Sequence, residues 1–235
     1  MMKFGLYALV GMTLFSCHNK LKQVNSQGLD HMKQGMYEQA LSEFNTAVSA
    51  DKEWLPAYYN RGICYANSGR YTEALKDFNY ILANEPNHAL SYFNRGIVYE
   101  NLGIYANAIK DYSRTIQLQP HFLTAYHYRG IARFYMKDYD GALKDYNKAM
   151  ELGLSETALF YNRGVIRQIQ GDLSAAIRDY DQAIETDPSN AKAYYNRAMA
   201  RLGLNSSEEA LKDLEIAAKL GFSKANDIIQ TRFHR

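Results

Sequence analysis

The sequence predicts an all-α fold built as a stack of helix pairs, and three columns of residues carry that prediction. Gly28, Gly62, Gly96, Gly130 and Gly164 recur at steps of 34 residues, and the next step lands on Ala198. Twelve residues after each stands an alanine: Ala40, Ala74, Ala108, Ala142, Ala176 and Ala210. Four beyond each alanine comes a ring or a large aliphatic: Phe44, Phe78, Tyr112, Tyr146, Tyr180 and Leu214. A fixed period of this length marks a repeat architecture, in which each copy buries its apolar face against its neighbours.

Each copy reads as two helices. In the second copy, Leu55 to about Ser68 carries Tyr58, Ile63, Tyr65 and Ala66 at helical spacing. Gly69-Arg70 makes a turn, and Tyr71 to about Asn84 resumes the spacing with Ala74, Leu75, Phe78, Ile81 and Leu82. So short a turn makes the two helices antiparallel neighbours. Gly62 and Ala74 lack bulk, so the axes approach toward the lower end of about 8–10 Å. The second helices end at Pro86, Pro120 and Pro188, which cannot continue a helix. Copies four and six carry Leu152-Gly153 and Leu220-Gly221 instead, where glycine takes the left-handed conformation that ends a helix.

These copies resemble tetratricopeptide repeats. Tyr58-Tyr59-Asn60-Arg61-Gly62 and Ala74-Leu75-Lys76-Asp77-Phe78, with Pro86, follow that family's pattern. The resemblance covers residues 21–224 as six copies: 21–54, 55–88, 89–122, 123–156, 157–190 and 191–224. It implies a right-handed α-solenoid. The first copy departs most, with Val24 and His31 where the family prefers aromatics. Residues 225–235 read as a capping helix, with Ala225, Ile228, Ile229 and Phe233 covering the last repeat while Asn226, Asp227, Arg232 and His234 face water.

The rest of the chain is ordinary for a folded protein. Hydrophobic residues make up 47% and charged residues 22% of the 235, which excludes a disordered chain. Net charge is +2, no Lys/Arg run reaches five and no basic stripe stands out, which argues against nucleic acid. Four prolines and no low-complexity tract leave no long linker.

The amino end differs. Lys3 is the only charge in residues 1–16, and Phe4 to Phe15 is apolar apart from Gly5, Gly11 and Thr13. That length fits a secretory signal core better than a membrane span. It ends in Leu14-Phe15-Ser16-Cys17, which resembles the lipobox of bacterial lipoproteins, although Phe15 stands where that family has a small or branched residue. The resemblance implies a signal peptide over 1–16, lipidation of Cys17 and a short linker over 17–20. The other readings are an ordinary signal peptide cut elsewhere and a short membrane anchor. His18, Asn19 and Lys20 reach about 10 Å at full extension, so a lipid anchor would hold the first repeat at the membrane. Cys64 falls on a packed helix face as a small hydrophobe.

Two kinds of ladder run through the copies. Arg61, Arg95, Arg129, Arg163 and Arg197 are each followed sixteen residues later by Asp77, Asp111, Asp145, Asp179 and Asp213, while the first copy has Gln27 and Glu43. Basic residue and Asp are lost together there, so these read as ion pairs within a repeat rather than an anion site. On the concave face of the expected superhelix lie Tyr59, Phe93, His127, Tyr161 and Tyr195, then Asn60, Asn94, Tyr128, Asn162 and Asn196, then Ile63, Ile97, Ile131, Val165 and Met199. An asparagine amide both donates and accepts, so it can hold a peptide backbone of any sequence, and in some family members an asparagine ladder does so. The same aromatic column also packs between repeats in the family. The carboxylate clamp of chaperone-binding members is absent, because Asn25, Tyr59 and Phe93 stand in place of its lysine and Leu29, Ile63 and Ile97 in place of its asparagine.

Six scattered histidines show no zinc spacing, and no phosphate-binding glycine loop occurs. The expectation is therefore a non-catalytic scaffold with no metal or cofactor. It would be a lipoprotein facing the periplasm, in the outer membrane or the inner one, binding an extended segment of an envelope protein. In architecture it resembles the pilotin lipoproteins of secretin assembly and the repeat lipoproteins that dock cell-wall hydrolases. The alternative is a structural subunit of an envelope assembly, pilotin-like or self-associating through 191–235, without a free peptide ligand.

Overall fold

The computed structural model describes the backbone of residues 4–233 and the side chains of 19–233. Among the described residues there are thirteen helices and no strand. They fall into two compact units, Met1–Gln119 and Pro120–Arg235.

The first unit holds α1 (Phe4–Lys33), α2 (Tyr37–Ala50), α3 (Leu55–Asn67), α4 (Tyr71–Asn84), α5 (Ala89–Asn101) and α6 (Tyr105–Leu118). The second holds α7 (Leu123–Tyr135), α8 (Tyr139–Glu151), α9 (Thr157–Ile169), α10 (Leu173–Thr186), α11 (Ala191–Gly203), α12 (Ser207–Lys219) and α13 (Ser223–Arg232). In each unit odd and even helices pair, and each pair packs on the next. The expected copies 55–88, 89–122, 123–156, 157–190 and 191–224 all begin where an odd-numbered helix begins. The cap α13 starts two residues before the expected 225; Ala225 is buried and Ile228, Ile229 and Phe233 pack half-buried beneath it. His234 lies outside the described residues.

One difference lies at the amino end. α1 is a single helix of 30 residues, so residues 17–20 are helical rather than a separate linker. No proline or glycine stands between Gly11 and Gly28 to interrupt it. The side chain of Cys17 lies outside the described residues, and with it the expected lipidation. Among the described residues no helix is long and apolar enough to cross a membrane.

The glycine column is explained by the ring column. A Cβ placed on Gly28 would stand 2.6 Å from Phe44, on Gly96 2.6 Å from Tyr112, and on Gly130 2.5 Å from Tyr146. Those rings are fully buried, so they cannot swing aside without opening the core. The sixth copy relieves the conflict differently. Ala198 carries a Cβ there, and the facing residue is the smaller Leu214, with both fully buried.

The turns inside the pairs share one geometry. Gly35, Gly69, Gly103 and Gly171 take positive φ, and at the same register so do Lys137 (61°) and Asn205 (62°). The Gly69 and Arg70 N–H groups donate to the Ala66 and Tyr65 carbonyls, and Lys137 and Asp138 donate likewise to Phe134 and Arg133. The turn thus satisfies the last carbonyls of the helix whichever residue occupies it, but a side chain with a Cβ is strained there. Gly153 and Gly221 end α8 and α12 at φ 99° and 88°, in the role expected for them.

Two ring hydroxyls have matching partners of different charge. Tyr112 donates to Glu100 Oε2 at 2.9 Å in the first unit, and Tyr180 donates to Gln168 Oε1 at 2.7 Å in the second. Burial pushes the Glu100 carboxyl above its ordinary range, against the pull of the Tyr112 hydrogen bond. A raised carboxyl binds its proton more tightly folded than unfolded, so its contribution to stability falls as pH rises from the unfolded value through the folded one. Glu100→Gln should therefore raise the melting temperature at neutral pH and lose that advantage below the unfolded glutamate range, measured by thermal melts across pH. At the strained turn, Lys137→Gly should gain about 1 kcal/mol by removing a Cβ from left-handed backbone. Asn205→Gly should gain less, because asparagine tolerates that conformation, and denaturant titration reads both.

Candidate functional site

The arginine ladder meets the aspartate ladder across each pair. Arg61 Nη2 lies 2.6 Å from Asp77 and its Nε 2.8 Å from the other carboxylate oxygen; Arg95 and Asp111 are joined the same way at 2.7 and 2.7 Å. Arg129–Asp145 and Arg197–Asp213 are forked alike, and Arg163 reaches both oxygens of Asp179 at 3.0 Å. The five aspartates are 1–5% exposed. Burial pushes the Asp77 and Asp111 carboxyls up, and the guanidinium facing each one pulls them down. Such a carboxylate depends on its partner to remain charged indoors.

The arginines do more than the intra-repeat role expected of them. Arg61 and Arg95 also donate to Asn45 and Asn79, sixteen residues earlier, at 2.9 and 2.6 Å. Arg163 and Arg197 reach Asn147 and Asp181 in the same way. One planar group thus ties its own helix to its partner and to the second helix of the preceding repeat.

A further set of arginines was not singled out from the sequence. Arg133, Arg167 and Arg201 each place a second guanidinium on Asp145, Asp179 and Asp213, at 2.6, 2.9 and 2.6 Å. In the first unit Tyr65 and Tyr99 hold that place, with the Arg61 and Arg95 guanidinium carbons 5.8 and 5.9 Å from their ring centres. The signal was present as an Arg-x-x-x-Arg spacing in α7, α9 and α11, which puts both groups on one face.

The face formed by the first helices holds the expected groove residues, and the structure redistributes their roles. Tyr59, Asn60, Phe93 and Asn94 are half-buried on α3 and α5; Tyr128, Tyr161, Asn162, Tyr195 and Asn196 are half-buried on α7, α9 and α11. The asparagine amides bond backwards. Asn60 Nδ2 donates to Asn25 Oδ1 at 2.9 Å, Asn94 Nδ2 to the Tyr59 hydroxyl at 2.9 Å, and Asn196 Nδ2 to the Tyr161 hydroxyl at 3.0 Å. Asn94 Nδ2 also donates to the Leu90 carbonyl at 3.0 Å. The amide donors expected for a peptide therefore join consecutive repeats. Asn162 makes no such bond among the described residues, and the residue before it in the ladder is His127, which has no hydroxyl.

The aromatic column packs on the buried rings. Tyr59 meets Phe78 edge-on at 6.3 Å, Phe93 meets Tyr112 at 5.8 Å and Tyr161 meets Tyr180 at 6.0 Å. Tyr195 lies 4.9 Å from Phe222 beside the cap. Burial pushes the Tyr59 and Tyr161 hydroxyls up, so they stay protonated while accepting the amide bonds. His127 corrects the sequence reading. It is only 5% exposed and packs against Tyr146, so it belongs to the core rather than to a surface a ligand touches. Burial lowers its imidazole pKa, and Glu156, 3.6 Å away, pulls the other way.

Cys64 is fully buried on α3, and burial raises its thiol to about 11, which leaves it a packing residue. Among the described residues no three His, Cys, Asp or Glu side chains gather as metal ligands would.

If the ion pairs act as units, Arg95→Ala should cost about 3–5 kcal/mol by stranding Asp111. Adding Asp111→Ala should cost little more. A double-mutant cycle by denaturant unfolding reads this, and additive losses would contradict it.

Comparison with known proteins agrees with this geometry. Tetratricopeptide repeat models match residues 56–88, 89–122 and 124–153, and a TPR repeat model matches 166–205, together more than half the chain. No curated protein sequence matches it. Among solved structures, PilF of Pseudomonas aeruginosa superposes with a TM-score of 0.75 at 16% identity, covering 93% of this chain and 94% of that one. MamA of Desulfovibrio magneticus gives 0.68 at 20% identity over 73% and 97%. YrrB, described as a TPR protein with an unusual peptide-binding site, gives 0.67 at 22% identity over 76% and 92%. Identities this low speak to the fold alone. The 34-residue period, the helix pairs and the matched models together make this chain a member of the tetratricopeptide repeat family.

Proposed function

We propose that this protein is a non-catalytic scaffold that binds an extended segment of another cell-envelope protein along its first-helix face, while a lipid on Cys17 holds it at the membrane. One observation carries the binding role. Tyr59, Asn60, Ile63, Phe93, Asn94 and Ile97 make a half-buried, uncharged strip on α3 and α5. The charged groups of those helices are engaged elsewhere, Arg61 and Arg95 with the second helices and Glu100 with Tyr112. Such a strip offers apolar area and polar atoms for main-chain bonding without demanding charge on the ligand. The solved structure of YrrB, named for its peptide-binding site, supports a peptide or protein as the partner. The lipobox-like Leu14-Phe15-Ser16-Cys17 supports the anchor and a periplasm-facing location.

The second reading, a structural subunit of an envelope assembly, draws support from the asparagine amides, since bonds between repeats stiffen the stack without any ligand. A photocrosslinking residue at Asn94 or Tyr161 in whole cells separates the two. The expected result is one partner protein captured from both positions and none from Lys76 on α4. Capture of the same chain from residues 191–235 would favour the structural subunit. In fractionated cells, Cys17→Ala should release the protein from the membrane pellet, and its retention there with the leader removed would exclude the lipid anchor.

A further inference from the structure

The first repeat carries a short aliphatic where the other five carry a ring. In the second and third copies a first-helix ring lies over the second helix. Tyr58 stacks on Tyr80 with centroids 4.3 Å apart, and the Arg114 guanidinium carbon stands 6.0 Å from the Tyr92 ring. Tyr126, Phe160 and Tyr194 hold the same register in the remaining copies, and Lys148, Gln182 and Ile216 hold the register of Tyr80 and Arg114. In the first copy these places are Val24 and Thr46. Both are short, and a cleft of about 240 Å³ opens between α1 and α2, lined by Lys20, Leu21, Val24, Thr46, Ala47 and Ala50.

The lining decides what fits. Leu21 is 5% exposed and Ala47 fully buried, so the floor is core rather than surface. The Thr46 hydroxyl already donates to the Ser42 carbonyl at 3.0 Å, and Lys20, the other polar liner, is exposed. A group entering the cleft is therefore asked for apolar contact and nothing else. In the second and third copies that contact comes from a ring of the same chain.

The chain brings a source of apolar matter to this edge. α1 runs without a break from Cys17 to Lys33, so Cys17, which the lipobox resemblance would make the first residue once the leader is removed, stands three residues before Lys20 and four before Leu21 on that helix. That separation is one helical turn, about 6 Å along the axis. We propose that the cleft between α1 and α2 seats part of an acyl chain carried by Cys17, so that the lipid that tethers the protein also completes its first repeat. The inference rests on the lipid-anchor reading above, and it explains why the one copy that lacks the ring is the copy beside the lipidation motif.

The test uses full-length protein in cells fed palmitate bearing a diazirine, irradiated, purified and digested for mass spectrometry. The expected result is a lipid mass on Cys17 and a crosslink from it to the peptide that contains Thr46, Ala47 and Ala50. Val24→Tyr, which installs the ring of the later copies, should abolish that crosslink while leaving the lipid mass on Cys17 and the melting temperature no lower. Lipid on Cys17 with crosslinks only to other lipids, or to an aromatic-bearing partner protein, would overturn the cleft assignment and spare the anchor. A crosslink undiminished by Val24→Tyr would also overturn it. Absence of any lipid mass on Cys17 would overturn the anchor, and the cleft assignment with it.

Discussion

The close approach of two helices over a missing Cβ is the constraint on which the other packing rests. With Gly130 under Tyr146, or Gly96 under Tyr112, the ring lies where a side chain would have been, which lets the two helices close on each other. That closeness brings Arg95 within forked reach of Asp111 and holds the alanine column fully buried. The sixth pair shows that the constraint is on combined volume. Ala198 adds a methyl and Leu214 removes a ring, so the same approach is kept by a different division of atoms. Glycine and ring are thus a single choice made at two positions sixteen residues apart.

A second layer of polar bonds joins one pair to the next. Arginines reach backwards to Asn45, Asn79, Asn147 and Asp181, and asparagine amides reach backwards to Asn25 and to the Tyr59 and Tyr161 hydroxyls. The two units solve the burial of the aspartate differently. In the first, one guanidinium lies near two tyrosine rings; in the second, two guanidiniums share one carboxylate. Two hydrogen-bonding cations relieve a buried anion more fully than one cation beside rings.

Helix limits and pairing were legible because period, glycine, alanine and proline each act through local geometry. Leu55 and Tyr71 start their helices where the apolar spacing resumes, and Gly153 and Gly221 stop theirs. Arg95 and Asp111 could be matched because they vanish together in the first copy. The roles of Asn94 and His127 were harder to read. A column position states which face a residue shares but not whether the preceding repeat supplies a hydroxyl or a wall. Tyr59 and Tyr161 supply hydroxyls and consume the amides, while neighbouring rings bury His127. The arginines at 133, 167 and 201 were hidden for a related reason, since their meaning depends on a carboxylate twelve residues further on and on another helix.

The backward amide bonds give the first-helix face a mechanical property. Both hydrogens of the Asn94 amide are already spent, one on the Tyr59 hydroxyl and one on the Leu90 carbonyl. A peptide that takes a hydrogen from this amide must first detach it from the neighbouring repeat or from its own helix. Ligand grip and lateral stiffness are then two uses of the same two protons. A strand that engages the carbonyl oxygens and ring faces leaves the stack rigid, whereas one that claims the amides loosens the seam beneath it. On the proposed binding role, this face is also a spring whose tension its occupant sets.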